Sequence, residues 1–286
     1  MTEKQRGMLY VVIATIMMSS GGLLIKSVEA NPVTIVVCRA FFAALLFLPF
    51  VQWKTVAITK DFAILVSMYI LLTVCYVTAN RLTTAANAII LQSTAPLWLY
   101  LGLLMKGEKK LTGFEAATRG LILLGIVIIL WGESGVVTKE MMLGNFLAII
   151  AGIGYAWEQY QFEKTYPMND VAINGLMNLF MVIIVSLIFH RQVDITQIPG
   201  MSWLYLAILG FLQIGISYYI FIKGVRKISA SEASVLCLLE PILNPIWVYL
   251  FIGEKPTIYT LVGFTVILMG IVSRYLPIIR KEKSRA

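Results

Sequence analysis

Long apolar runs, separated by short polar stretches, account for most of the chain. A helix needs about 20 apolar residues to cross the roughly 30 Å of hydrocarbon in a bilayer. Ten runs come close to that length, and they cover residues 8–28, 33–50, 63–80, 85–105, 114–131, 144–162, 171–189, 202–222, 230–252 and 257–276. Runs such as GLILLGIVIIL lack the polar alternation of a barrel strand. The pattern predicts an all-α integral membrane protein with ten transmembrane helices.

Composition and charge support these spans and orient them. The chain is 59% hydrophobic and 13% charged, whereas soluble domains carry about 25% charged residues. Sixteen of the 23 Lys and Arg residues flank the spans on the side of the N-terminus, and five flank the opposite side. Cytoplasmic loops are enriched in these residues, so the split predicts a multi-pass protein of the cytoplasmic membrane with both termini cytoplasmic. The net charge of +8 then reflects topology and attraction to the lipid bilayer, and it requires no nucleic-acid partner.

The sequence carries no motif of a metal, nucleotide or catalytic site. Cys38, Cys75 and Cys237 lie singly within apolar runs, without a CxxC or His-rich spacing. The one histidine is His190, the motifs GxxxxGK[ST], HExxH and GxSxG are absent, and no aspartate lies inside a predicted span. We therefore expect no cofactor, no metal site and no enzyme activity. The first apolar run is too long for a signal peptide and lacks a good cleavage site, so we expect it to remain in the chain.

Proline positions point to an internal repeat. Aligning Pro96 with Pro241 places AANAIILQSTAP over ASEASVLCLLEP and, downstream, GEKK over GEKP. Near the start of each copy, GMLYVVIA at 7–14 falls over GNFLAIIA at 144–151. Transporters are commonly built from two such copies. We predict two five-helix repeats, residues 1–141 and 142–286, and because five is odd, the second copy has inverted topology.

Two stretches resemble a known family. ISASEASVLCLLEPILNPIWVYLFIGEKPTIYTLVGFTVILMGIV resembles the second repeat of the EamA-type transporters of the drug/metabolite transporter superfamily. SSGGLLIKSVEANPVTIVVCRAFFAALL is similar to the first helix pair of the same family. The resemblance implies a secondary transporter that moves a small-molecule metabolite, an amino acid or related compound, across the cytoplasmic membrane by alternating access. Export is favoured over import. A channel or a membrane-embedded sensory or scaffold protein is the alternative, and the chain is expected to be a monomer or a homodimer.

Glu240 is the most unusual residue within the apolar runs. An ionised carboxylate at mid-depth costs at least about 2–3 kcal/mol unless it is paired, hydrated by a cavity or protonated. Pro241 and Pro245 each leave a backbone carbonyl without its helical donor, and Asn244 lies one turn after Glu240 on the same face. This constellation predicts a site for substrate or for a coupling ion, with the proton as the candidate ion. The alternative is a kinked helix in which Glu240 makes a single structural hydrogen bond.

Arg39 lies in the second span at a depth close to that of Glu240. The two charges could neutralise each other in an empty site, or Arg39 could grip a substrate carboxylate with two parallel hydrogen bonds. The alternative is a structural arginine that reaches the interface or binds backbone carbonyls.

Further polar residues follow helical spacing within the spans. The remaining candidates for substrate binding or coupling are Tyr155, Glu158 and Gln159 on span six, Tyr76 and Asn80 on span three, Gln92 on span four and Gln213 on span eight. Such residues either line a path or join helices by hydrogen bonds. For the amides both interpretations stay open, whereas for Glu158 the path is favoured.

Overall fold

A computed structural model describes residues 1–109, 112–132, 138–162, 166–228, 233 and 236–283. In these ranges all regular structure is helical. The helices are α1 (Glu3–Ser19), α2 (Gly21–Ser27), α3 (Pro32–Phe47), α4 (Lys60–Leu82), α5 (Ala85–Gln92), α6 (Ala95–Met105), α7 (Gly113–Gly132), α8 (Lys139–Phe162), α9 (Asp170–Ile188), α10 (Gly200–Ile208), a π-helical segment (Leu209–Ile216), α11 (Ser217–Val225), α12 (Leu239–Ile252) and α13 (Ile258–Lys283). Two short 3-10 helices, Leu48–Phe50 and Trp53–Thr55, follow α3.

Within the part of the chain that the structure describes, eight helical stretches are long and apolar enough to cross a membrane. They are Glu3–Ser27, Pro32–Phe50, Lys60–Leu82, Ala85–Met105, Gly113–Trp131, Lys139–Phe162, Asp170–Ile188 and Gly200–Val225. Each overlaps one of the first eight predicted spans. Two shorter apolar helices, Leu239–Ile252 and Ile258–Ser273, lie within the ninth and tenth. The predicted all-helical membrane class is confirmed.

Local sequence signals set where the helices begin. Thr2 and Gln5 form a reciprocal capping box at the start of α1. Asn31 accepts a hydrogen bond from the Thr34 N–H ahead of α3, and Pro32 occupies the first turn, where a missing N–H is harmless. At its far end α12 stops at Gly253, whose φ of 79° suits glycine.

Small residues bring the backbones of neighbouring helices close together. A Cβ atom on Gly154 of α8 would lie 2.8 Å from the Leu72 nitrogen of α4. Likewise, a Cβ on Gly125 of α7 would lie 2.6 Å from the Gly263 oxygen of α13. Without a hydrophobic force between helices in lipid, such close contacts are a main source of association. The α4–α8 pair thus lies in the core, and α7 and α13 pack on each other.

Several spans are interrupted within the bundle. Ser20 separates α1 from α2, Ser93 and Thr94 separate α5 from α6, and Cys237 and Leu238 form a turn before α12. Side chains bind backbone groups that the interruptions leave without a helical partner: Gln213 Nε2 donates to the Met18 carbonyl at 3.2 Å. Irregular backbone at membrane depth is tolerated only where protein or water satisfies it. The interruptions therefore mark a polar centre in an apolar bundle.

The ends of the spans gather into two sets of contacts. At one end, which we call the N-terminal end, Lys227 pairs with Glu3, and Arg226 lies 2.8 Å from Asp170. At the opposite end Lys26 lies 3.0 Å from Glu254. Each set joins residues that the ten-span pattern places on one side of the membrane.

Candidate functional site

A small central cavity lies where the interrupted spans meet. It has a volume of about 30 Å³, room for about one or two water molecules. Its walls are formed by Met18, Arg39, Leu72, Thr73, Tyr76, Gln92, Tyr155, Gln213, Ile214, Tyr218 and Glu240. Six of the ten residues predicted from the sequence are among them: Arg39, Tyr76, Gln92, Tyr155, Gln213 and Glu240. The structure thus brings together polar side chains from both halves of the chain.

Two further cavities continue from the central one. The second, of about 40 Å³, is lined by Ser93, Ala95, Pro96, Tyr155, Gln159, Cys237, Leu238, Glu240 and Ile271. It shares Tyr155 and Glu240 with the central cavity. The third, of about 190 Å³, is lined by Pro96, Leu99, Tyr100, Leu103, Lys109, Arg119, Ile122, Gly270 and Ile271. Because Pro96 and Ile271 line both of these outer cavities, the series leads from the centre toward Lys109 at the N-terminal end.

Glu240 occupies the first turn of α12 and faces both the central and the second cavity. The sequence had suggested a position near the middle of the ninth span, with the Cys237 carbonyl deprived of its helical donor by Pro241. Instead, the turn before α12 lets the Glu240 N–H donate to the Cys237 carbonyl at 3.1 Å. Carboxylates are favoured near a helix N-terminus, where the peptide dipoles present positive charge. The helix break therefore exposes the Glu240 carboxyl to the cavities, and the N-terminus of α12 stabilises its negative charge.

Arg39 lies on α3 and is only 4% exposed. Within the described residues it forms no ion pair with Glu240, although both line the central cavity, and its Nε and Nη1 atoms make no hydrogen bond. The phenol groups of Tyr69, Tyr76 and Tyr218 lie close enough to interact with its charge. The carbonyl-binding arginine considered from the sequence is therefore not the arrangement seen. A buried guanidinium with open donors is suited to a bound anion.

Asn80 and Asn244 lie outside the cavity walls. Both amides are fully buried and adjoin the Tyr76 hydroxyl, with no hydrogen bond of ordinary geometry to the described residues. Asn244 reaches this position because Gly22 offers no side chain: a Cβ there would lie 2.5 Å from the Asn244 amide. These two residues back the wall that Tyr76 forms.

Glu158 and Gln159 differ although they are adjacent on α8. Gln159 lines the second cavity. Glu158 is fully buried and lines none of the three, and neither carboxyl oxygen has a hydrogen-bond partner among the described residues. It lies close enough to Glu240 for their charges to interact.

Other polar residues of the spans join helices. Asn178 donates to the Asn174 carbonyl at 2.9 Å and accepts from the Tyr69 hydroxyl at 2.9 Å. Asn174 donates to the Gly215 carbonyl of the π-helical segment at 3.0 Å. Asn178 thus joins α9 to α4, and Asn174 joins α9 to the π-helical segment.

Tyr218 is a wall residue that the sequence reasoning missed. Gln213 and Tyr218 both line the central cavity, five residues apart. In a regular α-helix such residues face different directions, but in a π-helix hydrogen bonds run from i to i+5. The π-helical segment Leu209–Ile216 brings them to one face. The glycines at 210 and 215 beside Gln213 were the available signal.

Comparison with known proteins agrees with this architecture. The sequence profile of the EamA-like transporter family matches residues 5–131 and 138–275. A protein of Archaeoglobus fulgidus described as an uncharacterized transporter is 24% identical over 267 residues, which are 92% of this chain and 93% of that protein. The uncharacterized transporter YoaV of Bacillus subtilis is 25% identical over 165 residues, 54% of each chain.

A solved structure described as "Crystal structure of protein" has a TM-score of 0.68 at 14% identity and covers 94% of this chain and 96% of that chain. At this identity the likeness concerns the fold alone. The family match, in contrast, extends over nearly the whole sequence and accords with the apolar helices. The chain is therefore a multi-pass membrane transporter that belongs to the EamA-like transporter family.

Proposed function

We propose that the chain is a secondary transporter that exports a small zwitterionic metabolite, an amino acid or a related compound, by alternating access through the central cavity. One observation carries the proposal: Arg39 and Glu240 line the same cavity, without an ion pair between them. Two opposite charges held apart around a cavity complement a molecule that bears both a carboxylate and an ammonium.

The chemistry of the walls supports this cargo. The Arg39 guanidinium can hold a carboxylate through two parallel hydrogen bonds. The Glu240 carboxylate can accept hydrogen bonds from an ammonium. Tyr76, Tyr155 and Tyr218 add aromatic faces for the rest of the molecule. An unpaired charge is costly inside a membrane, so charged residues found there are expected to be functional.

Two features support a ten-helix arrangement of inverted repeats. The family profile matches the chain twice, at residues 5–131 and 138–275, and the two matches nearly coincide with the proposed halves 1–141 and 142–286. Both halves also contain an interruption just before an aligned proline, at Pro96 in α6 and at Pro241 in α12. In this arrangement Leu239–Ile252 and Ile258–Ser273 belong to the ninth and tenth spans, and both termini are cytoplasmic.

The small size of the central cavity supports alternating access. At about 30 Å³ the central cavity has room for only about one or two water molecules, so the walls must move before a cargo can bind. At the end opposite the N-terminus, Glu254 accepts from Lys26 and from the Ala85 N–H at 2.6 Å, which joins three segments of the chain at that end. The cavities continue instead toward the proposed cytoplasmic end, and loading from the cytoplasm is the step that export requires.

The first test is a thermal-unfolding screen of the purified protein against amino acids and related metabolites, since a bound ligand raises apparent stability by mass action. Flux of each stabilising compound is then measured in proteoliposomes. Saturable, stereoselective flux is expected. Single-channel currents, or stabilisation only by compounds lacking a carboxylate, would contradict the proposal.

Arg39→Lys gives a sharper test. A point ammonium loses the two-pronged geometry of the guanidinium, so the affinity for the carboxylate cargo should fall roughly 10-fold or more. Arg119→Lys is the matched control, because Arg119 also lies in a span but pairs with Glu115 and lines the third cavity, not the central one. Equal affinity in the two variants would leave Arg39 with a structural role only.

A further inference from the structure

Glu158 is the buried carboxyl that the proposed cargo site does not use. It is fully buried on α8, and neither oxygen has a hydrogen-bond partner in the described part of the chain. Its position follows from the backbone. Gly154, one turn earlier, packs against the Leu72 backbone of α4, so Glu158 is carried into the same tight α4–α8 contact, away from lipid.

The groups that face Glu158 offer it no compensating positive charge. Phenols approach from three helices: Tyr69 from α4, Tyr155 from α8 itself and Tyr218 from α11. From α12 comes a second carboxyl, Glu240. The surrounding cations are placed elsewhere: Arg39 of α3 lies among the tyrosines, and Lys106, at the end of α6, lies over the rings of Trp157 and Tyr160. No ion pair to Glu158 forms among the described residues.

Burial without a hydrogen-bond partner or counterion determines the protonation state of Glu158. An ionised carboxylate without a hydrogen bond or counterion in a medium of low polarity costs several kcal/mol. A second carboxylate nearby adds repulsion, since like charges in one site cannot both ionise easily. The closed bundle is therefore compatible with Glu158 only when it is neutral, which means that it carries a proton.

We infer that Glu158 is the proton-binding site of this transporter, set behind the wall of the cargo cavity and coupled to the cavity through Glu240. The proton site itself stands on the geometry of Glu158 alone, whereas its coupling to cargo rests on the proposed function.

Electrostatic linkage gives the direction of the coupling. A cargo ammonium at Glu240 compensates the negative charge there and makes an ionised Glu158 less unfavourable. By reciprocity, loss of the Glu158 proton strengthens binding of the ammonium. Tyr155 lies near Glu158 and lines both the central and the second cavity, so a shift of this ring would give the released proton a path toward the N-terminal end. Proton and cargo thus bind antagonistically, as exchange of one for the other requires.

Infrared spectroscopy of the purified protein tests the proton site without any cargo. At neutral pH the wild type should show the C=O absorption of a protonated carboxyl in an apolar environment, and Glu158→Gln should lose the absorption of one carboxyl. Glu254→Gln is the control, since Glu254 pairs with Lys26 at the far end and should leave the band intact. Identical bands in wild type and Glu158→Gln would overturn the inference. Should the Gln variant not fold, Glu158→Asp serves instead, and it must displace the band.

Methylammonium, the minimal primary ammonium, then separates the two proposals. Its addition should reduce the Glu158 band in the wild type and leave the band unchanged in Glu240→Gln. A band that depends on Glu158 but ignores methylammonium supports the proton site and contradicts ammonium binding at Glu240. Absence of the Glu158 band overturns the proton site whatever the cargo.

Discussion

At the scale of single residues, the central charges depend on breaks in the backbone next to them. Glu240 lies in the first turn of α12, where the helix dipole favours a carboxylate, and the turn at Cys237 and Leu238 exposes it to two cavities. Gln213 fits beside the break between α1 and α2 because Gly21 has no side chain: a Cβ there would lie 2.8 Å from Gln213 Nε2. The polar centre is therefore assembled by small residues and helix ends.

Glu240→Gln should weaken binding of an ammonium-bearing cargo. The substitution keeps the shape of the side chain but removes its charge, and a hydrogen bond to a charged group contributes about 1.5–3 kcal/mol, so the Kd should rise roughly 10- to 100-fold. Calorimetry with the strongest stabilising compound of the thermal screen measures this change. Glu240→Asp keeps the charge on a shorter stem and should retain part of the affinity. An unchanged Kd in the Gln variant would remove Glu240 from the cargo site.

The sequence predicted those site residues that differ in polarity from the apolar runs around them. Arg39 and Glu240 are charges in apolar runs, and the sequence alone marks them. Tyr218 is ordinary in composition, and only the π-helical segment turns it toward the cavity. Asn244 shares the face of Glu240 by spacing, yet the close approach of Gly22 places it behind the wall. Exact facing thus depends on helix irregularities and interhelical contacts that periodicity does not encode.

At the scale of helices, α7 and α13 form a tight pair with few polar groups. Their backbones meet at Gly125 and Gly263, and Gly270 lies against the Thr118 carbonyl. Several large apolar residues of α7 remain exposed on the outer side of this pair, with Trp131 at 77%. The pair therefore supports the bundle from its periphery. It contributes Arg119, Ile122, Gly270 and Ile271 to the third cavity and Ile271 to the second.

Gly125→Ala should destabilise this pair. The added Cβ would lie 2.6 Å from the Gly263 oxygen, so the two backbones must separate, and overpacking of this kind costs about 1–3 kcal/mol. Gly120→Ala is the matched control on the same helix, since a Cβ there meets nothing within 4 Å, and loss of a helical glycine should be neutral or slightly stabilising. Thermal unfolding in detergent compares them. Equal stability of the two variants would contradict the close packing.

Helix interruptions mark the limit of sequence reasoning at this scale. The apolar runs were found because a bilayer imposes a minimum length on every span. The break at Ser20 has no proline to announce it. It is stabilised instead from distant parts of the chain, by Gln213 on the Met18 carbonyl and by Trp247 on Ser19 at 3.0 Å. Tertiary contacts of this kind override local helix preference.

At the scale of the whole molecule, the contacts between span ends constrain the topology. Lys26 donates to the Thr83 carbonyl at 2.7 Å and pairs with Glu254. Lys26 lies in the last turn of the first span, Thr83 follows the third span, and Glu254 follows the helix Leu239–Ile252. Since they are in contact, they share one side of the membrane, which supports the proposal that Leu239–Ile252 belongs to a span that crosses from the other side. The contact thus favours ten spans over eight.

Labelling of single cysteines with a membrane-impermeant maleimide in intact cells distinguishes ten spans from eight. Cys38, Cys75 and Cys237 are replaced beforehand. The ten-span arrangement places Lys139 and Lys255 outside and Lys109 in the cytoplasm, and all three positions are exposed. Lys139→Cys and Lys255→Cys should therefore react at once, and Lys109→Cys should react only after permeabilisation. An eight-span chain would leave the turn that carries Lys255 in the cytoplasm, because no crossing would lie between the eighth span and Lys255. Protection of Lys255→Cys in intact cells would therefore exclude the ninth and tenth spans and, with them, the inverted repeat.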